Sequence, residues 1–131
     1  SILPISNNHL KAKKNSNYIS KQITEIKKLD TYIYENKIAT DYSFLKIDTQ
    51  GYEYNVLEGS LQNIKNFRII LCELSFEELY IGQKLWIDII NFLKKNNFEV
   101  WFLEKGFQSQ ENGQMLQADC IFVNKSVKKN I

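Results

Sequence analysis

Hydrophobic positions along this chain change their spacing several times, and each change marks an element. Residues 1–20 are polar, rich in Asn, Lys and Ser, and their scattered apolar positions predict an irregular connection with room for a short helix. Across 22–28, Ile23 and Ile26 stand among polar neighbours in a loose alternation that predicts a short strand. Asp30 is placed to cap a helix running to about Asn36, with Leu29 and Tyr34 set as a hydrophobic staple. A short apolar run, 44–48, closes on Asp48. Thr49-Gln50-Gly51 makes a turn, and 53–61 reads as a helix with acidic residues in its first turns, where the helix dipole favours them. Its inward stripe is Val56, Leu57, Leu61 and Ile64.

Further on, 68–74 contains Ile69-Ile70-Leu71-Cys72, a near-continuous apolar run that predicts a strand covered on both faces. Residues 84–95 carry Trp86, Ile89, Ile90 and Leu93 at helical spacing. Segment 98–103 is a strand, a loop with Gly106 and Gly113 follows, and 120–123 is a last strand. Strand–helix–strand–helix–strand–strand predicts an α/β fold with helices on both faces of the sheet. Right-handed crossovers make the strands at 44, 68 and 98 parallel, whereas the hairpin-length loop makes the last one antiparallel.

Composition narrows the class. The 131 residues suit one domain, and 44% apolar content excludes general disorder. A net charge of +2, with lysines gathered toward both ends, reads as solvated termini and gives no basic face for nucleic acid. Cys72 and Cys120 lie inside apolar runs, as small core residues in a reduced compartment do. No run approaches the roughly 18 apolar residues of a membrane span, and no signal peptide opens the chain, so a cytoplasmic location is expected. Met115 is the only methionine and the chain opens on Ser1-Ile2-Leu3-Pro4, which predicts a fragment of a longer protein.

In open α/β sheets, ligands bind beyond the carboxyl ends of the strands. Asp48 and Glu73 stand at that edge, Glu53 opens the helix after Asp48, and Gln50 and Gly51 lie between. Such a rim can orient hydroxyls, accept a proton or hold a cation. Glu53 equally suits a helix N-terminus, and Glu73 an ion pair with a lysine. Asp48 points more firmly to function, because a carboxylate closing an apolar strand is costly without a partner.

The run from Phe44 through Lys46-Ile47-Asp48-Thr49-Gln50-Gly51-Tyr52-Glu53, continuing to Leu57-Glu58-Gly59-Ser60, resembles the signature of FkbM-type methyltransferases. Leu29-Asp30 with Ile33, Glu73-Leu74-Ser75 with Leu79-Tyr80 and Gly82-Gln83, Asp119-Cys120-Ile121-Phe122-Val123, and the opening Ser1-Ile2-Leu3-Pro4 resemble further family segments in the same order. The resemblance implies the C-terminal half of a class I, Rossmann-like methyltransferase sheet, as a single partial domain whose residues 1–21 are a connection. It implies an S-adenosylmethionine-dependent O-methyltransferase acting on a hydroxyl of a sugar or natural product. Catalytic roles then fall to Asp48 and Glu53, donor contacts to Asp48 and Thr49, and acceptor contacts to Gln50, Glu73 and Tyr80, while the sequence itself offers no metal site and leaves open whether a metal assists. The family's glycine-rich donor turn has no counterpart here: Gly51, Gly59, Gly82, Gly106 and Gly113 lie too far apart. The alternative is a non-catalytic half-domain that assembles with another chain along the exposed edge of the strand at 44. His9, the sole histidine, has no neighbour at metal-ligand spacing, and Trp86, Phe92, Phe98, Trp101, Phe102 and Phe122 are expected in the core.

Overall fold

A computed structural model describes residues 1–13, 15–16, 18–41 and 43–126. Among them are helices α1 (Asn7–Ala12), α2 (Leu29–Glu35), α3 (Glu53–Glu58) and α4 (Trp86–Lys95). The strands are β1 (Phe44–Ile47), β2 (Ile69–Ser75), β3 (Phe98–Lys105) and β4 (Gln117–Asn124). They form one sheet in the order β1-β2-β4-β3. β1 pairs parallel with β2, and β4 pairs antiparallel with both β2 and β3. β3 therefore runs in the direction of β1 and β2, as the crossover rule requires, and β4 slots between them in reverse.

Alternation along β2 sets the core. Ile70, Cys72 and Leu74 are buried on one face, where they cluster with Ile33 of α2, Leu57 of α3, Ile89 and Leu93 of α4, and Phe98, Cys120 and Phe122. These helices share one face of the sheet, which corrects the expectation of helices on both. The other face of β2, carrying Ile69, Leu71 and Glu73, is only half-buried, so the run is not covered on both sides as its composition predicts. Cys72 and Cys120 are direct cross-strand partners, fully buried and not disulfide-bonded. Burial raises both thiols above their ordinary value, Cys120 to about 11, so neither is a ready nucleophile.

Other expectations shift for physical reasons. Segment 22–28 is no strand: its backbone pairs with none of the described strands, and Ile23 is fully exposed. Asp30 lies inside α2 and does not cap it. Its carboxylate accepts instead from the Gln62 and Asn63 backbone N–H groups and from Asn63 Nδ2, at 2.9, 3.1 and 2.8 Å, fastening the turn after α3. Tyr34 is 85% exposed, so the staple does not form. α3 stops at Gly59, which leaves Leu61 exposed while Ile64, in the following 3₁₀ turn, stays buried. Trp101 and Phe102 are half-exposed, because a register shift between Val100 and Phe102 interrupts the alternation of a strand at the sheet's edge.

Candidate functional site at the carboxyl ends of the strands

β1 delivers Asp48 and β2 delivers Glu73 and Ser75 to the same end of the sheet because the two strands are parallel. Cross-strand register then adds two more acids: Glu73 stands opposite Asp119 on β4, and Asp119 opposite Glu104 on β3. Like charges facing one another across strands repel. Glu73 registers this. Burial first, then the charges of Asp48, Glu53 and Asp119, raise its carboxyl to about 7, against an opposing hydrogen bond from Gln117. Gln117 Nε2 donates to Glu73 Oε2 at 2.7 Å and to Ser75 Oγ at 3.2 Å.

The turn after β1 is built around Glu53. This carboxylate is 2% exposed, and its Oε1 accepts from the Thr49 N–H at 2.9 Å, the Thr49 hydroxyl at 3.2 Å and the Gly51 N–H at 3.2 Å. One oxygen thus satisfies the donors that a tight turn leaves without strand or helix partners. The fold holds two successive residues in the left-handed region, Gln50 at φ 58° and Gly51 at φ 97°. Glycine is required at 51 twice over, since a Cβ there would lie 2.7 Å from that of Tyr80.

Tyr80 packs flat against that turn, 4% exposed, and its hydroxyl donates to Gln50 Oε1. Gln50 Nε2 in turn donates to Asp48 Oδ1 at 3.3 Å, and Lys46 Nζ stands 3.6 Å from Asp48 Oδ2. Burial, followed by the charge of Glu73, raises the Tyr80 phenol to about 12, so it remains a donor at any working pH. The N-terminal segment straps the tyrosine down. The Ser6 N–H donates to Leu79 O at 2.9 Å, the Ile81 N–H to Pro4 O at 2.8 Å, and Ser6 Oγ to Glu78 O at 2.5 Å. The Gln83 side chain accepts from the backbone N–H groups of Leu79 and Tyr80, each at 2.7 Å. The His9 ring meets the Tyr80 ring edge-on at 5.4 Å; burial and then the Lys13 charge hold its imidazole below the usual value.

Asp48, Thr49, Gln50, Glu53 and Tyr80 are thus brought into one hydrogen-bonded turn, with Glu73 on the neighbouring strand. Sequence reasoning left out Gln117, Ser75 and the strap; Gln117 is marked out only by its burial and its register opposite the end of β2, which the structure alone shows. Among the described residues, no three His, Cys, Asp or Glu side chains gather closely enough to hold a metal ion, and no helix is long and apolar enough to cross a membrane. A groove lined by Lys28, Asp30, Tyr34, Lys37, Glu58 and Gln62 runs along α2 and shares no residue with the carboxylate rim.

Comparison with known families finds a match over residues 3–100 to a family described as the Methyltransferase FkbM domain. The matched stretch spans β1, the Glu53-centred turn, β2, Tyr80 and α4, and leaves Gln117 and Asp119 outside. No curated protein and no solved structure matches the chain.

Proposed function

Because the chain belongs to the FkbM methyltransferase family, we propose that it forms the acceptor side of an S-adenosylmethionine-dependent O-methyltransferase with a class I fold. The reversed β4 between two strands of common direction supports that fold reading. The donor supplies an electrophilic methyl group on a sulfonium, and transfer to an oxygen nucleophile is governed chiefly by alignment. The residues here suit the acceptor and not the whole donor. Asp48 and Thr49 can face the donor's reactive end, but no glycine-rich turn accompanies them, so we assign that turn to sequence outside these 131 residues.

The observation that carries the reading is Asp48. It follows the last residue of β1, stays accessible, and among the described residues its Oδ2 meets no hydrogen-bond donor closer than the 3.6 Å lysine contact. A carboxylate so placed takes the proton of an acceptor hydroxyl as the oxygen attacks. Gln50 and Glu73 flank it as polar groups for neighbouring hydroxyls of a sugar or natural product, while Glu53 acts as the brace of the turn. The whole natural protein is to be incubated with methyl-labelled S-adenosylmethionine and a panel of mono- and oligosaccharides. An alkali-stable label that disappears in Asp48→Asn is expected. An alkali-labile label, or undiminished transfer by the variant, removes the assignment.

A further inference from the structure

The turn at the end of β1 holds a non-glycine residue, Gln50, in the left-handed region. Such a conformation is strained for a residue with a side chain and persists only where its surroundings over-determine it. Glu53 fixes the backbone on either side, through Thr49 and Gly51. The Glu53 bonds go to Thr49 and Gly51, and the Gln50 side chain is held by another residue. That residue is Tyr80: its hydroxyl takes the amide oxygen, which leaves Nε2 to donate to Asp48 Oδ1. An amide has one acceptor end and one donor end, so occupying the oxygen settles which end faces Asp48. Tyr80 itself is fixed by the bare face of Gly51 below, by Gln83 at its backbone and by an isolated bridge to Ile5.

We propose that Tyr80 is a positioning residue which, acting through Gln50, sets the orientation of the Asp48 carboxylate and leaves Oδ2 turned to the acceptor, and that the segment 3–12 serves to hold Tyr80 there. This replaces a direct acceptor contact by Tyr80, whose side chain is buried and whose hydroxyl is engaged. The relay joins residues at 5, 80, 50 and 48, so the N-terminal segment influences the site without touching a ligand. The inference rests on the role given to Asp48 above, yet the two fail separately.

The test uses the whole natural protein labelled with ¹⁵N at glutamine side chains and ¹³C at aspartate carboxyls, with Gln50 and Asp48 assigned by Gln50→Glu and Asp48→Asn. Tyr80→Phe removes a single hydroxyl. It is expected to speed exchange of the Gln50 side-chain amide about tenfold, because a side chain whose oxygen is released no longer holds its Nε2–H on Asp48. It is also expected to move the Asp48 carboxyl resonance in the same direction as Gln50→Ala does. The double variant should move that resonance no further, as members of one chain of contacts are not additive. An unchanged Gln50 amide and Asp48 carboxyl in a folded Tyr80→Phe protein overturn the proposal. Should that variant not fold, an Asp48 resonance unmoved by Gln50→Ala, at an exposed position, overturns it equally. An intact relay in a protein whose Asp48→Asn form still transfers methyl groups would leave the relay standing and remove the role of Asp48.

Discussion

Two irregular segments of this chain, 48–52 and 18–28, look alike in composition and differ in physical state. Both are polar stretches interrupted by a few apolar or aromatic residues. In the first, Glu53 and Tyr80 hold the backbone and side chains of Thr49, Gln50 and Gly51 through bonds made within a few residues or to one buried neighbour. In the second, Ile19 and Ile23 are fully exposed and Ile26 is 57% exposed, and the backbone belongs to no helix or strand. A loop is rigid when its donors find acceptors locally, and apolar residues alone do not make it so.

The tight turn is most vulnerable at Gly51. Gly51→Ala forces a side chain into a positive φ and against Tyr80, and is expected to destabilise by about 3 kcal/mol or more; urea unfolding would read this as a lowered midpoint at unchanged slope. Glu53→Leu keeps the volume but orphans the Thr49 and Gly51 N–H groups, for an expected loss of about 2 kcal/mol by the same assay. A loss within experimental error would show that water can replace Glu53 and that the turn is not held as described.

Glu73 offers a smaller, pH-dependent effect. Its folded-state carboxyl sits near 7 against an ordinary 4.5, so its ionisation opposes folding. The stability it contributes is complete below about pH 4.5 and is lost as pH rises through 7. Allowing for solvent screening at a partly exposed group, the wild type should lose about 1 kcal/mol more than Glu73→Gln between these limits. Parallel pH profiles would contradict the crowding of charge at the rim. Smallest of all, Ile23→Ser in the exposed segment should change the unfolding free energy by no more than about 0.5 kcal/mol. A larger loss would mean that Ile23 is covered in solution and that the contrast between the two segments is overstated.

What the sequence disclosed follows the same division. Strand, turn and helix around Asp48 were legible because apolar spacing, the carboxylate at the strand's end and Glu53 in the first helical turn all lie within ten residues or so of one another. Likewise α4 appeared where its spacing placed it, and β4 covers the expected 120–123 but begins three residues earlier, at Gln117. Partnerships across long separations were hidden. Asp30 reads locally as a helix cap, and only folding reveals that it grips Asn63. Tyr80 reads as an acceptor contact, and only packing shows its hydroxyl on Gln50. The register shift that exposes Trp101 and Phe102 leaves no mark in an otherwise apolar run. Nor does alternation tell which face of a sheet the helices will choose, and here α2, α3 and α4 chose the same one.

The placement of β4 also has a bearing on biosynthesis. The strand that lies between β2 and β3 is the last of the described strands to leave the ribosome. While the chain is still being made, β2 has only β1 beside it and β3 has no neighbour at all. Strand pairing across the middle of the sheet therefore comes last, when residues 117–124 arrive, and until then α4, which packs on both β2 and β3, joins them. A nascent chain stalled before that point leaves one edge of β2 and both edges of β3 unpaired, open to chaperones and to other nascent chains, and β4 covers the β2 edge and one edge of β3 when it arrives.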